Sequence, residues 1–302
     1  MTKNNQNLDW RIFLDKNLKI DPAQIIADIK KKEILAQLID ELNISDKEIW
    51  DYFVHLIDYY KQRTVDKNLP IRNYFLRDEN GKLQLVRKIA NNDEGRKLRL
   101  ENHLIFTDIS EPINDEVIEN VVINDEDYID LHKYVEELKV KLKEHNELSM
   151  KGLLISGVRK SQRSNLLSRI ANSFALDNKT VAYININDLD QEIKKTFDKK
   201  NSNDIDFIKK QLSEVDLLVL DEIGLKNLSI WFWDSVIMEI LEQRSINNKI
   251  TFFGTYFTSE KMFTHLKEIN ENSKSTTKLT EQMLTKIVEV MRELIYKEIS
   301  IG

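Results

Sequence analysis

The sequence predicts an α/β fold: a parallel sheet with helices on both faces in the C-terminal part, preceded by a smaller, mainly helical domain. Two observations carry this. Short runs that are apolar throughout, Gly152–Ser156, Val181–Ile184, Leu217–Leu220 and Thr251–Thr255, read as strands buried on both sides. Between them lie stretches with helical spacing of apolar residues, such as Leu166, Leu167, Ile170, Ala171 and Phe174, and a helix is expected again over 230–246. Strands alternating with helices in this way imply parallel crossover units.

The chain has 302 residues, enough for two domains. The expected division is an N-terminal domain over 1–90, a linker over 91–125 and the α/β domain over 126–302. The N-terminal domain opens with Asp21-Pro22, an N-cap followed by proline at the first helical position. Ile25, Ile29, Leu35, Leu38 and Leu42 make one apolar face. A second helix starts at Ser45-Asp-Lys-Glu48, the pattern of a capping box, and carries Trp50, Phe53, Val54, Ile57 and Tyr60. These aromatics read first as core. Asn80-Gly81 between two apolar runs predicts a two-residue hairpin within 72–87. The charged segment from Asn91 to Glu101 reads as the start of the linker, Ile118–Ile123 as extended chain, and 126–145 as an amphipathic helix with Tyr128, Leu131, Val135, Leu138 and Leu142 on one side.

Composition removes several chemistries. There is no cysteine, so disulfides, thiolate zinc sites and cysteine nucleophiles are excluded, and the five histidines lack metal-ligand spacing. The net charge of −6 gives the whole chain no attraction for nucleic acid, so any DNA contact would need a local basic patch. Lys194-Lys195, Lys199-Lys200 and Lys209-Lys210 are the candidates, with a solvated segment around Asn201-Ser-Asn203 as the alternative. No run reaches membrane-spanning length and the first residues lack a signal-peptide core. A cytoplasmic protein is expected.

The chemistry-bearing motifs sit at strand ends. A phosphate loop needs a strand, GxxxxGK[ST] and a helix, because backbone N–H groups and the helix N-terminus cradle phosphate. The lysine neutralises it, and the hydroxyl ligates Mg²⁺. Here the stretch is Gly157-Val-Arg-Lys-Ser-Gln-Arg-Ser164. Gly157 and Ser164 fit, whereas Gln162 and Arg163 replace glycine and lysine. By itself this loop is a weak match and reads better as a polar turn capping a helix. Further on, four apolar residues run into Asp221-Glu222, the pattern in which one carboxylate sits beside Mg²⁺ and the next polarises attacking water. Its bland alternative is a core strand ending in surface acids. The two motifs together, in this order, favour a nucleotide-binding ancestry. The candidate site is therefore Asp221 and Glu222 as catalytic, Gly157, Gln162, Arg163 and Ser164 as nucleotide-binding, and Ser164 with Asp221 as metal ligands.

With these motifs in place the chain resembles the bacterial DnaI/DnaC-type helicase loaders of the AAA+ superfamily, on the DnaI side, over about residues 70–299. The resemblance rests on Lys151-Gly-Leu-Leu, Ile170-Ala-Asn172, Leu218-Val-Leu-Asp-Glu-Ile-Gly224, Ser229-Ile-Trp231, Asp234-Ser-Val-Ile237, Leu241-Glu-Gln-Arg244 and Thr251-Phe-Phe253. It implies an AAA+ P-loop sheet, a DnaB-type replicative helicase as partner of the N-terminal domain, single-stranded DNA and other primosome proteins as further partners, and ATP or ADP with Mg²⁺ as cofactor. It also fixes Gln162 and Arg163 at the Gly-Lys positions; the alternative, Lys160-Ser161 as the pair, requires a loop shortened by three residues. Tyr256 stands where the family has the asparagine called sensor 1, with a partly buried aromatic as its plain reading. The late stretch Thr280–Ile287, where relatives carry arginines that reach a neighbour's ATP, offers Gln282 and Lys286. The family's zinc-binding cysteines are absent, so no zinc is expected and the N-terminal domain must be held by packing. Of Trp231 and Trp233, two apart on a helix, one is expected in the core.

Three readings follow: a helicase loader with weak or no ATP hydrolysis, a primosome adaptor of the same fold that no longer binds nucleotide, and a transposition helper ATPase of the same branch. Whether the chain is an enzyme, and whether nucleotide and Mg²⁺ still bind, stays open at the level of sequence.

Overall fold

The structure is a computed structural model that describes residues 21–121, 126–144, 150–158, 160–198, 202–226, 228–271 and 279–301. The chain divides into two compact units, Met1–Leu98 and Arg99–Gly302.

The first unit contains α1 (Pro22–Lys30), α2 (Glu33–Leu42), α3 (Asp46–Asp51), α4 (Phe53–Thr64), β1 (Ile71–Arg77) and β2 (Leu83–Ile89). Each expected long helix is broken once. The Asp21 side chain caps α1 through Ala23 N–H, and Pro22 opens it. The capping box forms: Ser45 N–H donates to Glu48 Oε2 at 2.9 Å while Ser45 Oγ accepts from Glu48 N–H. Arg77 then clamps the same glutamate at 2.8 Å and holds the Glu48 carboxyl well down, to about 2. The hairpin forms, but its turn is longer than expected. Arg77 pairs with Leu83, so residues 78–82 make the loop, and only Gly81 takes a positive φ, of 76°. The Asp78 carboxylate accepts from Asn80 and Lys82 N–H groups and so organises the turn in place of a two-residue Asn-Gly type. Ile25, Ile29, Leu35, Leu38, Ile49 and Leu56 pack with Phe75 and Leu83. Trp50, Phe53 and Tyr60 lie half-buried against this core, and Trp50 stacks on Phe53 at 5.4 Å; Val54 is exposed instead.

The division between units falls within α5 (Asp93–His103). The segment expected as a linker, 91–125, thus has a helix of its own. It continues into a two-residue strand, β3 (Leu104–Ile105), and a single 3-10 turn at Ile118–Asn120 in place of the expected extended chain. Asn172 pins this segment down by donating to the Asn114 and Glu116 carbonyls at 2.7 and 2.8 Å.

The second unit continues with α6 (Glu126–Lys143), β4 (Gly152–Gly157), α7 (Arg163–Leu176), β5 (Val181–Asn185), α8 (Ile186–Asp198), α9 (Ser202–Glu214) and β6 (Leu217–Ile223). After these come α10 (Ile230–Phe232), a π-helical turn at Trp233–Ile237, α11 (Met238–Ile246), β7 (Ile250–Thr255), α12 (Ser259–Glu271), α13 (Glu281–Leu294) and β8 (Ile295–Ile301). Six strands lie in the order β3-β5-β6-β7-β4-β8, every pairing parallel. The sheet is thus the one expected, with β3 and β8 added at its two edges. Alternation along the strands sends Leu154, Leu218, Leu220 and Phe253 into one apolar cluster and Leu153, Ile155, Leu217, Val219 and Phe252 into the other. Trp233 is buried and Trp231 is 40% exposed, so one tryptophan is core as expected.

Candidate functional site

The carboxyl ends of β4, β6 and β7 are neighbours in the sheet, which brings the sequence-predicted residues together. β4 ends at Gly157, where a Cβ would lie 2.3 Å from Ser161 Oγ, so glycine leaves room for the loop to fold back this closely. The loop closes on itself: Ser161 N–H donates to the Val158 carbonyl at 3.0 Å. Gln162, at the second-glycine position, sits at φ 65°, and Lys160 at φ 81°. The backbone here adopts the left-handed conformation that glycine favours, with a side chain on it. The Gln162 amide oxygen accepts from Asn165 Nδ2 at 3.1 Å.

Arg163 is the surprise of the site. It is only 4% exposed and its guanidinium turns into the protein. Nε donates to Asp221 Oδ1 at 3.0 Å, Nη1 to the Gly157 carbonyl at 2.9 Å and Nη2 to Glu222 Oε1 at 3.3 Å. The Tyr256 ring lies on the guanidinium, 4.5 Å from carbon to ring centre. The residue expected to reach phosphate instead bridges the ends of β4 and β6 as a planar fork, which a lysine cannot do.

Asp221 is almost wholly buried at 1% exposure, and three donors surround it. Oδ1 takes Arg163 Nε and, at 2.8 Å, the Glu222 N–H; Oδ2 takes the Tyr183 hydroxyl at 2.9 Å. Burial first, then the Asp221 charge, pushes the Tyr183 hydroxyl far above its usual range, so it remains a proton donor. The register of β6 on β7 shifts between Leu220 and Ile223, and Glu222 takes φ 65° at that irregularity. The space for Asp221 comes from Gly254 on β7, where a Cβ would fall 2.1 Å from Oδ1.

Ser164, Tyr183, Asp221 and Glu222 share the wall of a cavity of about 530 Å³ whose other lining includes Ser110, Glu111, Asn185 and Asp188. Three of the expected site residues, Ser164, Asp221 and Glu222, therefore face one space, while Arg163 fills the gap between the acids. Sequence reasoning missed Tyr183 and Gly254. Gly254 carried a signal, because an isolated glycine among bulky strand residues marks a close approach; Tyr183 carried none. Tyr256 is half-buried, in keeping with its plain reading as a partly buried aromatic, but its partner is the arginine.

The remaining expectations lie outside this centre. Lys286, on α13, pairs with Glu242 at 2.6 Å. Lys194, Lys195, Lys209 and Lys210 each pair with an acid, namely Asp190, Glu192, Glu239 and Glu214. Lys199, Lys200 and Asn201 lie outside the described residues, as do Arg159, Ile123 and the side chain of Tyr128. Among the described residues no helix is long and apolar enough to cross a membrane.

A parallel β3-β5-β6-β7-β4-β8 sheet with a loop-helix after β4 and paired acids on the adjoining β6 defines a AAA+-type P-loop fold. Within that class the chain is similar to the DnaI/DnaC-type helicase loaders. It is 31% identical over 103 residues to the replicative helicase loader DnaC of Buchnera aphidicola subsp. Baizongia pistaciae (strain Bp), a match over 34% of this chain and 42% of that protein. The match thus spans less than half of the curated relative. The crystal structure of DnaI superposes with a TM-score of 0.51 at 25% identity, over 66% of this chain and 97% of that one. A primosome component from Streptococcus pyogenes serotype M3 gives a TM-score of 0.49 at 16% identity, over 70% of this chain and 97% of that one. No protein-family model matches the chain.

Proposed function

We propose that this chain is a DNA-replication protein of the DnaI kind, which binds a DnaB-type replicative helicase and helps place it on single-stranded DNA, with weak or no ATP hydrolysis of its own. The reading places it in the cytoplasm. The DnaI likeness supports the role, and the observation that carries the hydrolysis half is the buried Arg163 guanidinium between Asp221 and Glu222. Glu222 is the residue that would polarise water, and here its carboxylate is engaged by a cation fixed to the chain. Its work would then be mechanical: the helical first unit grips, and the second unit orders the assembly. The same observation favours a second reading, an adaptor within the primosome that has lost nucleotide altogether.

Gel filtration of the full chain with the replicative helicase from the same genome tests the role; failure to form a complex at micromolar concentration would sink it. Phosphate release tests the chemistry. Turnover comparable to an intact AAA+ ATPase, and abolished by Glu222→Gln, would refute weak hydrolysis. Nucleotide binding separates loader from adaptor, since a ligand at one hundred times its Kd adds about 2.7 kcal/mol to stability.

A further inference from the structure

The fold class implies a Mg²⁺–nucleotide at this site, and the side chains present do not fit one. Asp221, the expected metal ligand, already accepts from Arg163, Tyr183 and the Glu222 backbone. The loop N–H of Ser161, which would face a phosphate, is turned onto the Val158 carbonyl. The cavity lining includes Glu111, Asp188 and Glu222, carboxylates that repel a polyphosphate. Arg163, meanwhile, donates to the expected metal ligand Asp221, to the expected water-polarising Glu222 and to the Gly157 carbonyl at the end of β4. Tyr256 closes over it from the end of β7.

We propose that Arg163 is a tethered cation standing in for the Mg²⁺–nucleotide. A buried carboxylate such as Asp221 requires a counter-charge. In a nucleotide-driven module that charge arrives with the ligand, so the state of the strand ends depends on what is bound. Here it is covalently part of α7, and the second unit is held in one ligand-independent state. Losing the Gly-Lys pair and placing an aromatic at position 256 are then one coordinated change, because the fork needs both the extra reach of arginine and a flat surface to lie on. This inference rests on reading the site as a remodelled P-loop; it favours the adaptor that no longer binds nucleotide over the nucleotide-binding loader, and it is independent of whether the helicase is bound.

The test uses the full chain and Mn²⁺ alone as probe, followed by electron paramagnetic resonance and thermal melts. Wild type should show no Mn²⁺ binding that Asp221→Asn removes, and no shift in melting temperature with Mn²⁺ or Mg-ATP. Arg163→Ala uncovers the acids. It should melt roughly 10 °C lower and bind Mn²⁺ at least about tenfold more tightly than wild type, with that gain lost in Arg163→Ala/Asp221→Asn. Equal Mn²⁺ affinity in wild type and Arg163→Ala overturns the proposal. If Arg163→Ala does not fold, wild type against Asp221→Asn still decides: Asp221-dependent Mn²⁺ or Mg-ATP binding in wild type overturns it, and its absence supports it. A helicase complex formed by a chain that binds Mn²⁺ through Asp221 would refute this inference and leave the loader role standing; the opposite pair of results would do the reverse.

Discussion

At position 162 the backbone takes a φ of 65°, which glycine would adopt freely, although the residue is glutamine. A left-handed non-glycine residue costs about 1–2 kcal/mol, set against one exposed hydrogen bond to Asn165. Gln162→Gly should therefore stabilise the second unit by about 1 kcal/mol in urea unfolding; a neutral or lower midpoint would show that the strain is relieved by contacts around the loop. Arg163 has no such tension. Its three donor groups are used and its face is covered, so the residue that most damages the loop as a phosphate site satisfies it as a structure.

Between elements, one of the motifs that carry the family likeness is a joint. Arg244, from the Leu241-Glu-Gln-Arg244 stretch, is fully buried on α11. Its Nη1 donates to the Leu212 and Val215 carbonyls at the end of α9, Nη2 to the Ile250 carbonyl, and Nε to Thr251 Oγ1 at 2.8 Å. Burial pulls its pKa down, with Asp216 opposing. Arg244→Leu would strand several carbonyls at once, and equilibrium unfolding should register a loss of about 3–5 kcal/mol. In the first unit the joint is Glu48, shared between the α3 capping box and Arg77. Its carboxyl falls from 4.5 to about 2 through the Arg77 hydrogen bond first and the Ser45 N–H second. A depressed folded pKa means that its contribution is complete above the unfolded value and is lost as pH falls through the folded one. Melts of the full chain between pH 4.5 and about 2 should show this loss, and Glu48→Gln should flatten that slope; an unchanged slope would assign the acid sensitivity elsewhere.

For the molecule as a whole, charge sets what it can touch. A chain of net charge −6 needs a local cluster of unpaired cations to hold DNA, and the described lysines on α8 and α9 are matched with acids. Lys194→Gln/Lys195→Gln should therefore change the affinity for an oligonucleotide by less than about twofold near physiological salt, as read by fluorescence anisotropy. A steep loss, with a reduced salt slope, would restore these helices as a DNA surface. The reading of this chain as a loader accordingly leans on protein contacts more than on DNA.

The parallel sheet, the strand ends and the meeting of Gly157, Ser164, Asp221 and Glu222 were legible in the sequence. Uniform apolarity and helical spacing are local patterns; the order of the strands within the sheet came only with the tertiary structure. Helix breaks at Tyr52 and Lys32, the five-residue turn at 78–82 and the edge strands β3 and β8 were not legible, because each depends on which neighbour supplies the competing hydrogen bonds. The sequence by itself placed Gln162-Arg163 where a phosphate loop carries Gly-Lys. Only the tertiary structure decided where the arginine's charge goes. A guanidinium can point out toward phosphate or in toward carboxylate. That choice is made by Asp221 buried beside Gly254, the open register of β6 at Glu222 and the Tyr256 ring, three contributions from segments far from Arg163 in the chain.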